Sequence, residues 1–346
     1  MKKTILMATL AGILGYMSSA WGLGINVGSI PKEYTSYGAP DTTESLTIST
    51  KWWNAEWTPV EVSFHSGEGV SEKYYGDGSG QFYFTNFSLN QTNDVLSTLN
   101  CKDATLTLSS YAKIQGYLNA TNTNITATYL RIASGGVLNM DGGKLNLTSD
   151  RKDLGAIGSS NDKTYQIYGK MVLKNVEFSS AGRITANSAS GSSGLESGEL
   201  VFFGSTSFKG TELIINEKSK LSVLDTASID VNTLLAADLT VSKDSKITVD
   251  SYDKLGIANL NIILDPLETI NFSDIFLSET VGETVVFSAN KPNISVLDSS
   301  GNVYESVNFV YDESGNLTGI SVPEPSTYAA IFGALALAFA AYRRRK

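Results

Sequence analysis

Between residues 100 and 265 apolar side chains recur in alternating pairs: Leu106-Thr-Leu108, Leu130-Arg-Ile132, Leu138-Asn-Met140, Leu145-Asn-Leu147, Ile229-Asp-Val231, Leu239-Thr-Val241 and Ile247-Thr-Val249. Apolar residues two positions apart lie on one face of an extended chain, so each pair predicts a short, half-buried strand. Gly, Ser, Asn, Asp and Lys fill the intervals and turn the chain. No proline occurs between Pro59 and Pro266. Every backbone N–H in that interval can therefore join a ladder.

Three segments align without gaps: 130–140, 213–223 and 239–249. Each is an apolar pair, a polar corner and a second pair. The last two begin 26 residues apart. Short strand, corner, short strand is the grammar of a parallel β-helix, in which each coil buries its inward side chains against its neighbours. The predicted fold is all-β, with a solenoid over 96–265. The pattern is also similar to that of the solenoid passengers of bacterial surface proteins and autotransporters. A β-sandwich gives short strands at comparable spacing and is the alternative.

The flanks differ from this body. Region 21–95 holds Trp21, Trp52, Trp53 and Trp57, followed by Tyr74, Tyr75, Phe82, Tyr83, Phe84 and Phe87. It is expected to be an aromatic-rich β cap over the first coil. Region 266–321 contains the same turn twice, Asp298-Ser-Ser-Gly-Asn302 and Asp312-Glu-Ser-Gly-Asn316. Strands around 294–297, 303–311 and 317–322 would make an antiparallel meander, with Gly where φ is positive. One short helix is expected between Leu264 and Leu277.

The two ends carry address-like patterns. Lys2 and Lys3, the apolar run Ile5–Met17 and Ser18-Ser19-Ala20 read as a secretory signal peptide over 1–20. At the other end stand Val322-Pro323-Glu324-Pro325-Ser326, an uncharged stretch to Tyr342, and Arg343-Arg344-Arg345-Lys346. Residues 326–342 are at the short end of what spans about 30 Å of hydrocarbon. The basic cluster would hold its end in the cytoplasm. The prolines cannot sit inside that helix, so the chain just before it is expected to be extended and accessible.

This order of motif, apolar helix and basic end resembles the PEP-CTERM sorting signal of Gram-negative bacteria, a tail type also named after ice-binding proteins. The resemblance covers 322–346. It implies transient anchoring in the inner membrane, recognition by a membrane-embedded exosortase, cleavage near Pro323–Pro325, and release to the cell surface or extracellular matrix. It implies nothing about the cargo.

The chain has 26 basic and 35 acidic residues. Setting aside Lys2, Lys3, Arg343, Arg344, Arg345, Lys346 and Glu324 leaves 20 against 34, a net charge of −14. Such a surface repels nucleic acid and favours solubility. It also disfavours anionic polysaccharides unless divalent cations bridge. Cys101 is the only cysteine; it cannot form an intrachain disulfide and is expected to be buried beside Leu99 and Leu106.

Candidate chemistry is sparse. His65 is the only histidine. Its alternating strand places it with the outward residues, and its neighbours Ser63, Ser66 and Glu68 form no nucleophile motif. One histidine and one cysteine do not make the usual zinc site. Gly76-Asp77-Gly78-Ser79-Gly80 lacks the lysine and helix of a phosphate loop and reads as a hairpin turn. Asp150-Arg151-Lys152-Asp153 is the best acid–base candidate, but adjacent charges in a loop are ordinarily solvated. Asp298, Asn302, Asp312 and Asn316 offer oxygen ligands, too few per turn for calcium. Thr121, Thr123, Thr126 and Thr128 form one local cluster, without the repeated columns that ice binding needs. Trp52, Trp53 and Trp57 could stack on sugar rings; in one extended strand Trp53 and Trp57 share a face and Trp52 takes the other.

The expected function is therefore non-catalytic: an exported structural or adhesion protein of the cell surface or biofilm matrix, with no cofactor or metal. A polysaccharide-active enzyme and a glycan-binding protein on the same scaffold are the alternatives.

Overall fold

The computed structural model describes residues 45–48, 51–53, 56–58, 60–65, 81–89, 97–149, 165–186, 197–281, 285, 287, 292–323, 333–335, 337 and 343. The chain is all-β. Twenty strands form one sheet, and its pairings are parallel.

The registers run in three columns. In the first, Leu99, Leu118, Leu138, Met171, Leu200, Leu221, Leu239 and Leu260 pair in succession. Each of them is at most 1% exposed. The second column runs Leu106, Ile125, Leu145, Phe178, Phe208, Ile229, Ile247 and Phe276. The third runs Ile114, Ile132, Ile167, Ala186, Ile215, Ala236 and Ile257. The chain visits the columns in turn, as in Leu118, Ile125, Ile132 and Leu138. Like side chains therefore stack on like, and full burial of each Leu, Ile or Phe stabilises by about 1.5–3 kcal/mol. Phe178 and Phe208, partners in register, also stack ring on ring with centroids 4.4 Å apart.

A β-sandwich requires antiparallel sheets. Apart from isolated bridges, antiparallel pairing among the described residues is confined to two small sheets. One joins Lys51–Trp53 to Glu56–Thr58; the other has the order Thr269–Asn271, Leu317–Ser321, Asn308–Tyr311.

The boundaries expected at 96 and 265 do not limit the parallel sheet. Ser45–Ile48, Val60–His65 and Gln81–Leu89 already pair in parallel with later strands. Phe276–Ser278 and Asn293–Leu297 continue the sheet beyond 265. Of the expected C-terminal meander, Asn308–Tyr311 and Leu317–Ser321 pair antiparallel with Thr269–Asn271 as the third strand, while Asn293–Leu297 meets Val303 only through an isolated antiparallel bridge. Asn293–Leu297 pairs in parallel along the edge of Leu255–Ile263, whereas the turn at 312–316 folds 308–311 back on 317–321.

Leu213 pairs with Leu234, and Leu234 with Leu255. This register interval is 21 residues, within the roughly 20–26 residues that the sequence pattern predicts for one coil. Segments 130–140 and 213–223 pass from the third column to the first, whereas 239–249 passes from the first to the second. They align because both passages use a tight turn between strands of similar length.

The expected short helix is Phe272–Ile275. Its Phe272 packs edge-on to Phe276 and Phe287, with centroids 6.5 and 4.9 Å away. This aromatic cluster is buried near the C-terminal limit of the described core.

Candidate functional site

Residues between buried strand neighbours project from the sheet, and register partners on adjacent strands stand about 4.8 Å apart. Their side chains form ladders. Asn139 donates to Asn119 at 2.9 Å, and Asn119 donates to Asn100 at 3.0 Å. In the same line the next two positions are Val172 and Val201, which are 8% and 2% exposed. The polar column gives way there to covered apolar side chains.

Charges on the ladders alternate in sign. Lys144 meets Glu177 at 2.6 Å, Lys170 meets Glu199 at 3.0 Å, and Lys174 meets Asp141 at 2.9 Å. Lys209 meets Asp230 at 2.9 Å. All four are register partners. Arg183 and Glu212 also pair. Glu199 is followed in register by Lys220, whose charge favours the ionised form of Asp238. Burial nevertheless raises the Asp238 pKa, against that charge and a hydrogen bond from Asn261. Exposed pairs of this kind contribute about 0–1 kcal/mol each; their order matters more, because it fixes which strand sits beside which.

The passage from the first to the second column has its own device. Asp103, Asn122, Gly142, Asn175, Gly204 and Asp225 all take positive φ there, between 46° and 76°. Gly, Asn and Asp adopt this left-handed conformation most readily. Their side chains link successive turns: Asn122 donates to Asp103 at 2.7 Å, Ser205 N–H donates to Asn175 at 3.0 Å, and Gly204 N–H donates to Asp225 at 3.2 Å. Buried hydroxyls lie just inside the corner. Thr206 Oγ1 accepts the Val176 N–H at 3.2 Å and lies 3.0 Å from the Leu173 carbonyl, to which it can donate.

Among the residues singled out from sequence, Trp52 and Trp57 are register partners in the antiparallel pairing of Lys51–Trp53 with Glu56–Thr58, and Trp53 is the partner of Glu56. The single extended strand expected there is a turned one. His65 ends a strand and pairs with Lys102. Asp150–Asp153 and the glycine run 76–80 lie outside the described residues.

Cys101 is buried, as expected, and burial raises its thiol pKa far above the ordinary value. Both Asp-Gly-Asn turns are built alike. Asp298 accepts N–H bonds from Ser300 and Asn302 and the Asn302 amide, at 2.9, 2.7 and 2.8 Å. Asp312 accepts the equivalent three at 2.9, 2.8 and 2.9 Å. Gly301 and Gly315 have φ of 80° and 82°. The carboxylate oxygens are used by their own turns. Among the described residues no group of three or more His, Cys, Asp or Glu side chains could hold a metal ion.

Val322 departs from expectation. It is 3% exposed, its N–H donates to the Glu268 carbonyl, and its carbonyl accepts from Leu267. Alternation along Leu317–Ser321 carries it inward after Ile320, so the accessible chain cannot begin before Pro323. Pro323 is half-buried; Glu324, Pro325, Ser326, Arg344, Arg345 and Lys346 lie outside the described residues. Of the apolar tail 326–342, residues 333–335 and 337 are described and helical, as is Arg343. Among the described residues no helix is long and apolar enough to cross a membrane.

Comparison with protein-family models, curated proteins and solved structures finds no match.

Proposed function

We propose that the chain is an exported structural or adhesion protein of the cell surface or extracellular matrix, with a β-solenoid body and a removable C-terminal anchor. The three columns of register-matched parallel strands carry the architectural part of this reading: a chain that visits three columns in turn winds into coils. Such a body offers long, rigid faces of ordered polar side chains, suited to repeated lateral contact with other matrix components. The signal-like N-terminus and the Pro323-Glu324-Pro325 tail support export and handling by an exosortase-type membrane enzyme. Burial of Val322 supports a division between body and tail immediately after it.

Changing Pro323, Glu324 and Pro325 to alanine in the full chain should leave it in the inner-membrane fraction, whereas the parent reaches the surface or medium. Equal release of both would remove the sorting reading. Deleting the protein should alter cell aggregation; unchanged aggregation and matrix composition would remove the structural role.

Glycan binding is a second reading, favoured by the juxtaposition of Trp52 and Trp57. Replacing both with alanine should abolish retention on the polysaccharide that the parent binds.

A further inference from the structure

In the described ladders, Lys144, Lys170, Lys174 and Lys209 each meet an acid in register. The third column contains an exception. Lys113 and Arg131 are register partners on adjacent parallel strands. Ala112, Ile114, Leu130 and Ile132 beside them are buried, so both cations project from the same outward face, about 4.8 Å apart at the backbone. Like charges directly opposite one another are destabilising. Among the described residues no acid is paired with either cation: burial first, and then the neighbouring Arg131 charge, lowers the Lys113 pKa.

The guanidinium is held in place. Its carbon lies 5.3 Å from the Tyr168 ring centroid, within the range of a cation–π contact. Arg131 Nε is buried without a hydrogen-bond partner. A cation fixed on an aromatic face, with a second cation beside it and no counter-charge among the described residues, is prepared for an anion supplied from outside.

We propose that Lys113 and Arg131 form an anion site for the carboxylates of an acidic polysaccharide. The planar guanidinium edge matches a carboxylate, and Lys113 adds a point charge one strand away. This deepens the proposed matrix role and rests on it for the choice of polymer. It also locates anion recognition on a protein whose overall charge opposes it, without bridging divalent cations.

The test is retention of the purified full-length chain on immobilised polygalacturonate in buffer with EDTA, beside neutral dextran and dextran sulfate. The parent should be retained on polygalacturonate, less so as salt rises. Charge-assisted hydrogen bonds of this kind correspond to roughly tenfold to a hundredfold in affinity. Arg131→Gln should lose that much, Arg131→Lys should fall between, and Lys113→Gln should weaken binding with an unchanged circular dichroism spectrum. Equal retention of Lys113→Gln and Arg131→Gln with the parent overturns the site, as does no retention of the parent or equal retention on neutral dextran. Equal retention on dextran sulfate overturns carboxylate selectivity. A chain that reaches the surface yet fails on polygalacturonate loses this site only; one that binds it but stays in the cytosol loses the export reading only.

Discussion

Asn122 donates its side-chain amide to the Asp103 carboxylate at 2.7 Å, and both residues hold the left-handed backbone conformation, with φ of 46° and 50°. They occupy the same corner in successive turns of the chain. A branched residue at 122 would lose the bond and incur about 1–2 kcal/mol of steric cost. Asn122→Val should therefore lower the denaturation midpoint, while Asn122→Gly, which keeps the conformation, should lower it much less. Equal midpoints for the two variants would contradict the conformational role of this corner.

Gly136 and Gly169 allow two backbones to approach closely. A Cβ on Gly136 would lie 2.2 Å from the Ile114 carbonyl oxygen, and one on Gly169 would lie 2.1 Å from the Gly136 oxygen. Those oxygens belong to the ladder and cannot move away alone. Gly136→Ala and Gly169→Ala should each destabilise by about 1–3 kcal/mol, read from thermal or urea melts. A change near zero would mean that the corner relaxes freely.

Thr206→Val keeps the volume of the side chain but removes the oxygen that accepts the Val176 N–H. An unsatisfied buried donor costs about 1–3 kcal/mol. The Val176 amide should exchange with deuterium faster in this variant, while the amides of strand Lys246–Val249 stay as protected as in the parent.

Asp298 and Asp312 should make the C-terminal hairpins acid-sensitive. Burial raises the Asp298 pKa, but the hydrogen bonds from Asn302, Ser300 and Gly301 outweigh it and hold the carboxyl below its usual value. Asp312 is likewise lowered, first by the Asn316 amide. A folded-state pKa below the unfolded one contributes stability that is present above the ordinary carboxylate value of about 3.9 and fades as pH falls through the lower folded value. In an NMR titration, the amide signals of Ser300, Asn302, Ser314 and Asn316 should hold steady through pH 5 and shift only below the ordinary value. Titration at or above it would contradict the bonding.

Cys101 should be inert to thiol reagents at mildly alkaline pH in the folded chain and react fully in guanidinium, because burial disfavours the thiolate. Rapid labelling of the native chain would place the thiol outside the core.

Strand positions were readable because inward alternation has a local cause: a half-buried strand needs apolar residues at every second position. The glycine before a first-column strand, as in Gly136-Val137 and Gly169-Lys170, was an available signal that composition alone did not isolate. The corner residues 103, 122, 175 and 225 were visible only as polar loop residues. Their shared conformation appears once successive turns stack. The Lys113–Arg131 cation pair was hidden for the same reason: 113 and 131 are 18 residues apart in sequence and adjacent only in register.

The sequence by itself determined that this chain is all-β, which side chains point inward, where Cys101 resides, and the form of both Asp-Gly-Asn turns, since each depends on neighbours a few residues away. Parallel pairing, expected from the repeats with a β-sandwich as the alternative, needed the register of distant strands to be settled, as did the extension of the sheet past both expected boundaries, the place of Val322 in the body, and which charges meet. Parallel pairing joins residues about a coil apart or more, and a local pattern of alternation is the same whichever strand lies beside it.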